Sequence, residues 1–379
     1  MPALSELIAD KQWFIILLVF VFSFVIQLVY YLGIFSRFVF HKKKQEDAPS
    51  EPVSVIICAR NEAENLDKFL PAILTQDYPE FEVVVVNDCS SDDTEDVLEK
   101  YMKQYPNLRT SVIKEDKKFS HGKKLAVTIG IKASKFERLL FTDGDCQPES
   151  NQWLKLMSGH FSDKTSIVLG YGGYFPLPGI LNKYIRYDTL MIALQYFSMA
   201  LCRVPYMGVG RNLAYKKSLF YSGKGFSGHF HLASGDDDLF VNENATGTNT
   251  AIEYAHESHT RTAPKDSFEK WSYQKKRHFS TNTLYKGSHK FLLALEPFSR
   301  LIFYAGLIAL LFSPVHRIWV LLVFGLRMII QIFVIKKTMI RLNEKNLLLI
   351  SLLFDLLSLF INFGLLLSSR IRPSNFQWK

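Results

Sequence analysis

The chain has 379 residues, of which 48% are hydrophobic, and a formal net charge of +9. Its length allows one large domain or two of ordinary size. Positive charge is typical of proteins that bind nucleic acid or anionic lipid, but the sequence has no basic–aromatic groove pattern and no known nucleic-acid module, so we expect no nucleic-acid partner. The four cysteines have no CxxC spacing, a pattern typical of reduced cytosolic thiols rather than disulfides or a zinc site.

Long apolar segments lie at both ends of the chain. Residues 13–36 contain no Asp, Glu, Lys or Arg and are long enough to cross a bilayer as a retained helix. Three C-terminal segments predict three further spans: 301–315, 318–335 and 346–369. The first of these is short, so it is either re-entrant or begins further upstream.

Basic residues beside the spans predict the orientation. One cluster, HKKK, follows the first span at 41–44, and another lies between the last two spans at 336–345. Both are cytoplasmic if residues 37–300 lie in the cytoplasm, although the basic residues of the tail 370–379 then lie on the opposite side. We expect an integral protein of the cell (inner) membrane, in contact with membrane lipids, with its soluble region in the cytoplasm.

Two charged residues fall inside the predicted spans, Arg327 and Asp355. An unpaired charge inside a membrane is costly and usually faces a partner or a cavity. We therefore predict that these two side chains form an ion pair between the last two spans.

Strand and helix patterns alternate in the middle of the chain. Strands are predicted at 53–58, 82–87, 110–113 and 137–142. Helices are predicted at 62–75 and 122–133, with another between them that Ser91 or Asp92 could cap. This alternation predicts a Rossmann-like α/β fold with a mostly parallel sheet covered on both faces. Ligands in such folds bind beyond the carboxyl ends of the strands.

Polar residues follow three of the predicted strands: ARNE at 59–62, DCSS at 88–91 and DGD at 143–145. The first strand is not followed by GxGxxG, and the sequence contains no GxxxxGK[ST], which argues against a dinucleotide-dependent dehydrogenase and a P-loop NTPase. Pro148 stands where an EF-hand loop needs its glycine. None of these common nucleotide or calcium sites is therefore expected.

The DGD stretch places two carboxylates, Asp143 and Asp145, directly after the fourth strand. Alternate acidic residues of this kind bind a hard cation such as Mg²⁺ or Mn²⁺, which stabilises a diphosphate leaving group. The simpler interpretation is an acidic turn. The position of the DGD stretch beside two other polar strand ends favours the metal site over a simple acidic turn.

A second acidic stretch, SGDDDLF, covers 234–240. Adjacent carboxylates raise one another's pKa, which suits a general base, but acidic residues also favour the first turn of a helix. In the HESH stretch, the two histidines are interpreted as surface residues rather than metal ligands.

Four segments in order, SVIICARNEAENL, VVVVNDCSSDDT, HGKKLAVTIGI and LLFTDGDCQP, resemble the family 2 glycosyltransferases, which have a GT-A fold. The resemblance covers about residues 53–280. It implies that the donor, a nucleotide sugar expected to be UDP-linked, binds at Ala59, Arg60, Asn61, Glu62, Asp88, Lys123 and Asp143. It also implies Asp145 as the main metal ligand, with Asp143 beside it, for Mg²⁺ or Mn²⁺.

The same resemblance assigns catalytic and acceptor residues. SGDDDLF is similar to the Glu-Asp motif of inverting enzymes, with Asp236 at the Glu position and Asp237 as the base; Asp238 is the alternative one residue away. Gln274 and Arg277 match a QxxRW motif in which His278 replaces the tryptophan. The residues implied on the acceptor side are Gly210, Arg211, Asn212, His278 and Trp271. The segment 271–279 is also compatible with an amphipathic helix on the membrane.

The expected organisation is a membrane helix in 1–40, a linker in 41–52, a GT-A domain in 53–280, an interfacial segment in 281–300, about three membrane helices in 301–369, and a tail in 370–379. The expected activity is inverting sugar transfer from a nucleotide sugar to a lipid-linked or polysaccharide acceptor at the cytoplasmic membrane face. One alternative is a processive synthase that also extrudes its polymer. Another is an inactive membrane protein that binds only nucleotide or lipid.

Overall fold

The computed structural model describes residues 4–43, 51–114, 122–313 and 317–371. Most of the predicted linker, His121 and the tail beyond 371 lie outside these described residues. The strands are β1 (Val53–Ala59), β2 (Phe81–Asp88), β3 (Leu108–Ile113), β4 (Arg138–Asp143), β5 (Cys146–Pro148), β6 (Ile167–Leu169), β7 (Gly172–Tyr174), β8 (Leu213–Lys216), β9 (Thr250–Ile252) and β10 (Thr260–Thr262). The helices are α1 (Leu4–Leu28), α2 (Ser36–Val39), α3 (Ala63–Leu74), α4 (Thr94–Met102), α5 (Lys123–Ala133), α6 (Trp153–Ser158), α7 (Ile180–Leu201), α8 (Lys217–Ser222), α9 (Asp238–Asn244), α10 (Phe268–Phe279), α11 (Gly287–Leu311), α12 (Arg317–Arg341) and α13 (Leu348–Ile371).

Seven strands form the main sheet in the order β3-β2-β1-β4-β8-β6-β9. Strand β1 pairs in parallel with β2 and β4, and β2 with β3, whereas β8 runs antiparallel between β4 and β6. Every residue of β1 is buried, as expected for a parallel strand covered on both faces. The predicted mostly parallel α/β fold is confirmed.

Helices cover both faces because alternate side chains of each strand point in opposite directions. Val55 and Ile57 of β1 pack in one core with residues of α3, α4 and α6. Ile56 and Cys58 belong to the other core, which contains residues of α5 and α7. With both faces covered, the strand ends are where polar groups of the sheet remain accessible.

The sheet register brings the polar strand ends together. Ala59 lies opposite Asn87, and Cys58 lies opposite Asp143. The ends of β1, β2 and β4 therefore form one continuous edge, as predicted from the alternation of strands and helices.

Four helices among the described residues are long and apolar enough to cross a membrane: Lys11–Val39, Gly287–Leu311, Arg317–Arg341 and Leu348–Ser369. The first combines α1, α2 and a π-helix between them, Val29–Phe35. Helix α11 begins at Gly287 and absorbs most of the predicted interfacial segment, so that segment is not a separate element. Charges at Glu296 and Arg300 interrupt its apolar pattern, but both side chains are buried.

The predicted ion pair between Arg327 and Asp355 is confirmed, with the Nη2–Oδ2 distance at 3.1 Å. Asp355 also pairs with Arg300 of α11, at 2.7 Å, and accepts a hydrogen bond from Tyr304. Gln27 of α1 accepts hydrogen bonds from Arg327. The pair is therefore part of a polar network that joins all four long helices.

The turn between α12 and α13 is anchored in the sheet domain through Glu344. Its buried carboxylate pairs with Arg186 of α7 at 2.6 Å and also with Arg261 of β10. Arg261 in turn pairs with Glu149, just beyond β5. These contacts fix the sheet domain relative to the C-terminal helices.

Candidate active site

The loops after β1 and β2 are tied to each other. Asn61, at a positive φ of 54°, accepts a hydrogen bond from the Ser91 amide at 2.8 Å and donates its own amide to Ser90. Ala59 is buried at the end of β1, and Arg60 is half-buried beside it. These three predicted donor-site residues therefore lie in one rigid pair of loops.

Two predicted donor-site carboxylates lie deeper in the same region. Asp88 is fully buried, and the Cys89 thiol donates to its Oδ1. Glu62 is half-buried, and burial raises the pKa of its carboxyl despite a hydrogen bond from Asn65. A Cβ added at Gly144 would lie 3.6 Å from the Glu62 side chain, so Glu62 packs against the DGD turn.

Lys123 links the two acidic motifs. It is the first residue of α5, and its Nζ lies 2.7 Å from Asp143 and 3.2 Å from Asp236. Burial works against its charge, yet the carboxylates of Asp143 and Asp236 hold the pKa of Lys123 well above its usual value. Burial likewise opposes the charge of Asp143, but Lys123 outweighs it and lowers the pKa of that carboxyl. Lys123 and Asp143 are therefore both charged at neutral pH.

The DGD turn has the donor atoms that a hard cation needs. Ligand atoms of Asp143, Asp145 and Cys146 all lie within 4.8 Å of one another. Burial, and then the two carboxylates, hold the pKa of the Cys146 thiol well above its usual value, so Cys146 stays protonated. Within the described ranges no lysine or arginine forms an ion pair with Asp145. Carboxylate oxygens are thus the available ligands, which fits Mg²⁺ or Mn²⁺ better than a soft metal.

The glycine-rich segment before β8 contacts both Lys123 and the acidic triplet 236–238. The Gly210 amide donates to Asp237 Oδ2 at 2.7 Å. A Cβ at Gly210 would lie 3.2 Å from that oxygen and 3.3 Å from Lys123 Nζ, so this position requires glycine for close approach. Gly210 therefore lies at the centre of the site.

Of the two residues after Gly210, only Arg211 faces the motif. Its guanidinium lies 4.4 Å from the Tyr174 ring, and its charge helps to lower the pKa of Asp143, after burial and Lys123. Asn212 is fully buried and uses its amide to hold Trp153 and the carbonyl groups of Tyr171 and Ser258. The expectation that Asn212 contacts the acceptor is therefore wrong, because its polar atoms are committed to the core.

The three consecutive aspartates have three different environments. Asp236 faces Lys123, as described above. Asp237 is the N-cap residue of α9, and burial, followed by the charges of Asp236 and Asp238, raises the pKa of Asp237 to about 7. Asp238 is buried and accepts hydrogen bonds from Thr281 and Tyr285. The carboxylate of Asp238, the alternative base, is therefore committed to these hydrogen bonds, whereas Asp236 and Asp237 line the cleft.

Helix α10 brings the QxxRH motif to the same place. Gln274 Oε1 and Arg277 Nε are buried, with no hydrogen-bond partner among the described residues. Arg277 contributes to the low pKa of Asp143, after burial, Lys123 and Arg211. Burial, and then the charges of Arg277 and Lys275, hold the pKa of His278 well below its usual value. His278 is therefore neutral.

Trp271 does not reach the site. It is only 4% exposed, and its ring packs edge-on against Tyr184 at 5.4 Å between centroids. The expectation that Trp271 stacks on an acceptor is therefore wrong, because the indole is part of the packing between α10 and α7.

A cleft is lined by five of the predicted site residues and by several residues that the motifs did not indicate. Its lining residues are Ile56, Cys58, Lys123, Val127, Phe141, Thr142, Asp143, Gly210, Leu213, Tyr215, Asp236 and Asp237. Cys58, Thr142 and Tyr215 were missed by sequence reasoning. The first two lie at the ends of β1 and β4, so their strand position was the available signal, whereas Tyr215 reaches the cleft only through the antiparallel pairing of β8.

The HESH histidines differ from each other. His256 is exposed, as interpreted. His259 is fully buried, and its Nε2 lies 3.0 Å from the Tyr254 carbonyl oxygen. The surface interpretation is therefore wrong for His259.

Comparison with known proteins shows that part of the chain is similar to a family of glycosyltransferases. The model of the family "Glycosyl transferase family 2" matches residues 54–224. The glycosyltransferase AglE of Haloferax volcanii is 36% identical over 139 residues, which cover 36% of this chain and 44% of AglE. A poly-beta-1,6-N-acetyl-D-glucosamine synthase of Staphylococcus epidermidis is 29% identical over 102 residues, 27% of this chain and 24% of the synthase. The chain thus spans less than half of these curated relatives.

A solved structure resembles the chain over a greater length. The mannosyltransferase PcManGT of Pyrobaculum calidifontis, in complex with GDP-Man and Mn²⁺, superposes with a TM-score of 0.56. The match covers 88% of this chain and 99% of PcManGT at 20% identity. At this identity the likeness shows the fold, and it confirms the expected GT-A architecture.

Proposed function

The glycosyl transferase family 2 model matches residues 54–224, and from this premise we propose that the protein is a membrane-anchored, inverting glycosyltransferase. It takes a sugar from a nucleoside-diphosphate donor and transfers it to a hydroxyl group of a lipid-linked or polysaccharide acceptor. The observation that carries this proposal is Lys123, which pairs with the DGD motif on one side and with the acidic triplet on the other. A donor diphosphate and an acceptor hydroxyl would thereby meet in one cleft.

On the donor side, the loops after β1 and β2 hold the nucleoside, and the cations face the diphosphate. Lys123 and Arg277 both help to lower the pKa of Asp143, and they are the groups that balance the charge of the phosphates. Asp145, with Asp143, would hold Mg²⁺ or Mn²⁺, which when bound stabilises the charge of the departing diphosphate. Binding of Mn²⁺ and GDP-Man by PcManGT supports a divalent cation and a nucleotide sugar. The nucleotide-release experiment below distinguishes a UDP-linked from a GDP-linked donor.

On the acceptor side, Asp237 takes the proton. Its pKa of about 7 lets the carboxylate accept a proton near neutral pH. The hydroxyl oxygen bonds to the anomeric carbon as the bond to the diphosphate breaks on the opposite face, which inverts that carbon. Gly210 fixes the orientation of the carboxylate through its amide.

The four candidate spans favour an acceptor at the membrane. We propose that the sheet domain lies on the cytoplasmic face and that Gly210, Arg211 and His278 form the acceptor side. A processive synthase is the second candidate, because the QxxR motif is present and a polysaccharide synthase is among the relatives. Single transfer is favoured by His278 in place of a stacking tryptophan and by the presence of only four candidate spans among the described residues.

The proposal is tested by nucleotide release. Purified protein in detergent, or membranes containing it, is given UDP- and GDP-sugars with Mg²⁺, Mn²⁺ or EDTA. Metal-dependent release of one nucleoside diphosphate, with sugar incorporated into a lipid extract, is the expected result. A long product on denaturing gels would favour the synthase, and binding of nucleotide without transfer of any sugar would favour an inactive protein.

A further inference from the structure

Helix α10 supplies two proposed catalytic residues but is not held in place by them. Gln274 Oε1 and Arg277 Nε are buried and have no hydrogen-bond partner among the described residues. The helix must therefore be positioned by other contacts, and these contacts set where Arg277 points.

One such contact is an ion pair between α10 and α7. Lys275 Nζ lies 2.6 Å from Asp188 Oδ2, and the two side chains are only 11% and 12% exposed. One turn earlier on each helix, Trp271 packs edge-on against Tyr184. Residues four apart lie on one helix face, so the two contacts together form a seam that fixes both the separation and the rotation of α10.

The other end of this seam reaches a membrane helix. Tyr184 also packs edge-on against Phe354 of α13, with ring centroids 5.1 Å apart. Helix α10 is thus held against α7 and α13 on the face opposite the solvent, while the segment after it is held separately by Asp238 through Thr281 and Tyr285. Loss of the ion pair should therefore shift α10 over the cleft without detaching it.

Lys275 differs in this respect from the other paired lysine of the same helix. Lys270 pairs with Asp266, but these side chains are 64% and 70% exposed, and the pair lies within one segment of chain. An exposed pair of this kind is worth little. The chain therefore offers a matched control on the same helix.

We propose that the ion pair between Lys275 and Asp188 positions Arg277 for transfer, so that Lys275 is a positioning residue that acts through Arg277. This inference rests on the proposed function. It implies that the effect of Lys275 appears in kcat rather than in donor KM, and that it disappears when Arg277 is absent.

The test is a kinetic double-mutant cycle in detergent, with radiolabelled donor, on Lys275→Met, Arg277→Ala and the double variant. Misplacement of a catalytic group by about 1 Å costs on the order of a hundredfold in rate. We expect kcat of Lys275→Met to fall by about tenfold to a hundredfold, with donor KM little changed, and no further fall when the change is added to Arg277→Ala. Lys270→Met should match the wild type.

Asp188→Glu keeps the charge but lengthens the pair, and provides a variant expected to fold if Lys275→Met does not. Reduced kcat at an unchanged melting temperature supports the inference. Wild-type kcat in Lys275→Met or in Asp188→Glu would overturn it. It would also be overturned if the fold-decrease of kcat in the double variant equalled the product of the decreases in Lys275→Met and Arg277→Ala. Absence of any transfer by the wild-type protein would instead overturn the proposed function, and the inference with it.

Discussion

Asp355 is the residue on which the polar network between the long helices depends most. It is fully buried, and it pairs with Arg300 at 2.7 Å and with Arg327 at 3.1 Å. Replacing it by asparagine leaves Arg327 without a charged partner among the described residues, whereas Arg300 still has Glu296 at 3.4 Å. Arg327, only 1% exposed, would keep only neutral partners such as Gln27.

The size of the effect follows from this arrangement. Removing one partner of a buried ion pair costs about 3–5 kcal/mol, because the remaining charge is left without compensation. Arg327→Leu should cost less than Asp355→Asn, since Asp355 retains Arg300. The double variant, Arg327→Leu with Asp355→Asn, should be more stable than Asp355→Asn alone, because the uncompensated charge of Arg327 is gone while Arg300 keeps Glu296.

The assay is thermal unfolding in detergent, followed by intrinsic fluorescence and by the monodisperse fraction on size exclusion. The expected order of stability is wild type, Arg327→Leu, and then Asp355→Asn, with the double variant above Asp355→Asn. A double variant no more stable than Asp355→Asn, or an Asp355→Asn protein that melts with the wild type, would refute the ion-pair account.

Two further predictions concern the cleft. The pKa of Asp237 is raised from 3.8 to about 7, so the base is protonated below that pH. We therefore expect kcat to rise as the pH increases through about 7. A flat profile of kcat between about pH 5.5 and 8.5 would contradict the assignment of Asp237 as the base. Asp145→Ala should abolish both transfer and its dependence on Mg²⁺ or Mn²⁺, as measured by a metal titration of nucleotide release. Transfer that survives in Asp145→Ala with an unchanged metal response would identify the DGD stretch as an ordinary acidic turn.

Local patterns predicted the sheet well because its strands are continuous apolar runs. The strands predicted at 53–58 and 82–87 correspond to β1 (Val53–Ala59) and β2 (Phe81–Asp88). Parallel pairing then required the polar strand ends to meet, which is why Asp143 could be assigned to the site from sequence.

The errors have a common physical origin in contacts between residues distant in sequence. Trp271 and Asn212 have the residue types of a binding site, but packing against Tyr184 and hydrogen bonds to the core decide their role. Similarly, the sequence left open whether the segment 301–315 begins further upstream, because Asp355, the partner of Arg300 in α11, lies 55 residues away. No local pattern contains that information.

The proposed sugar transfer depends above all on a cleft in which Asp237 removes the acceptor proton while Asp236, paired with Lys123, supports the donor side. The direct measurement compares Asp237→Asn with Asp236→Asn, recording sugar transfer and the affinity for nucleoside diphosphate by calorimetry. Loss of a general base should lower kcat of Asp237→Asn by about 10²–10⁴-fold with nucleotide affinity nearly intact, whereas Asp236→Asn should weaken nucleotide binding. Full transfer by Asp237→Asn would contradict the central claim. The claim would also be contradicted if Asp236→Asn, and not Asp237→Asn, were the variant that loses transfer while it still binds nucleotide.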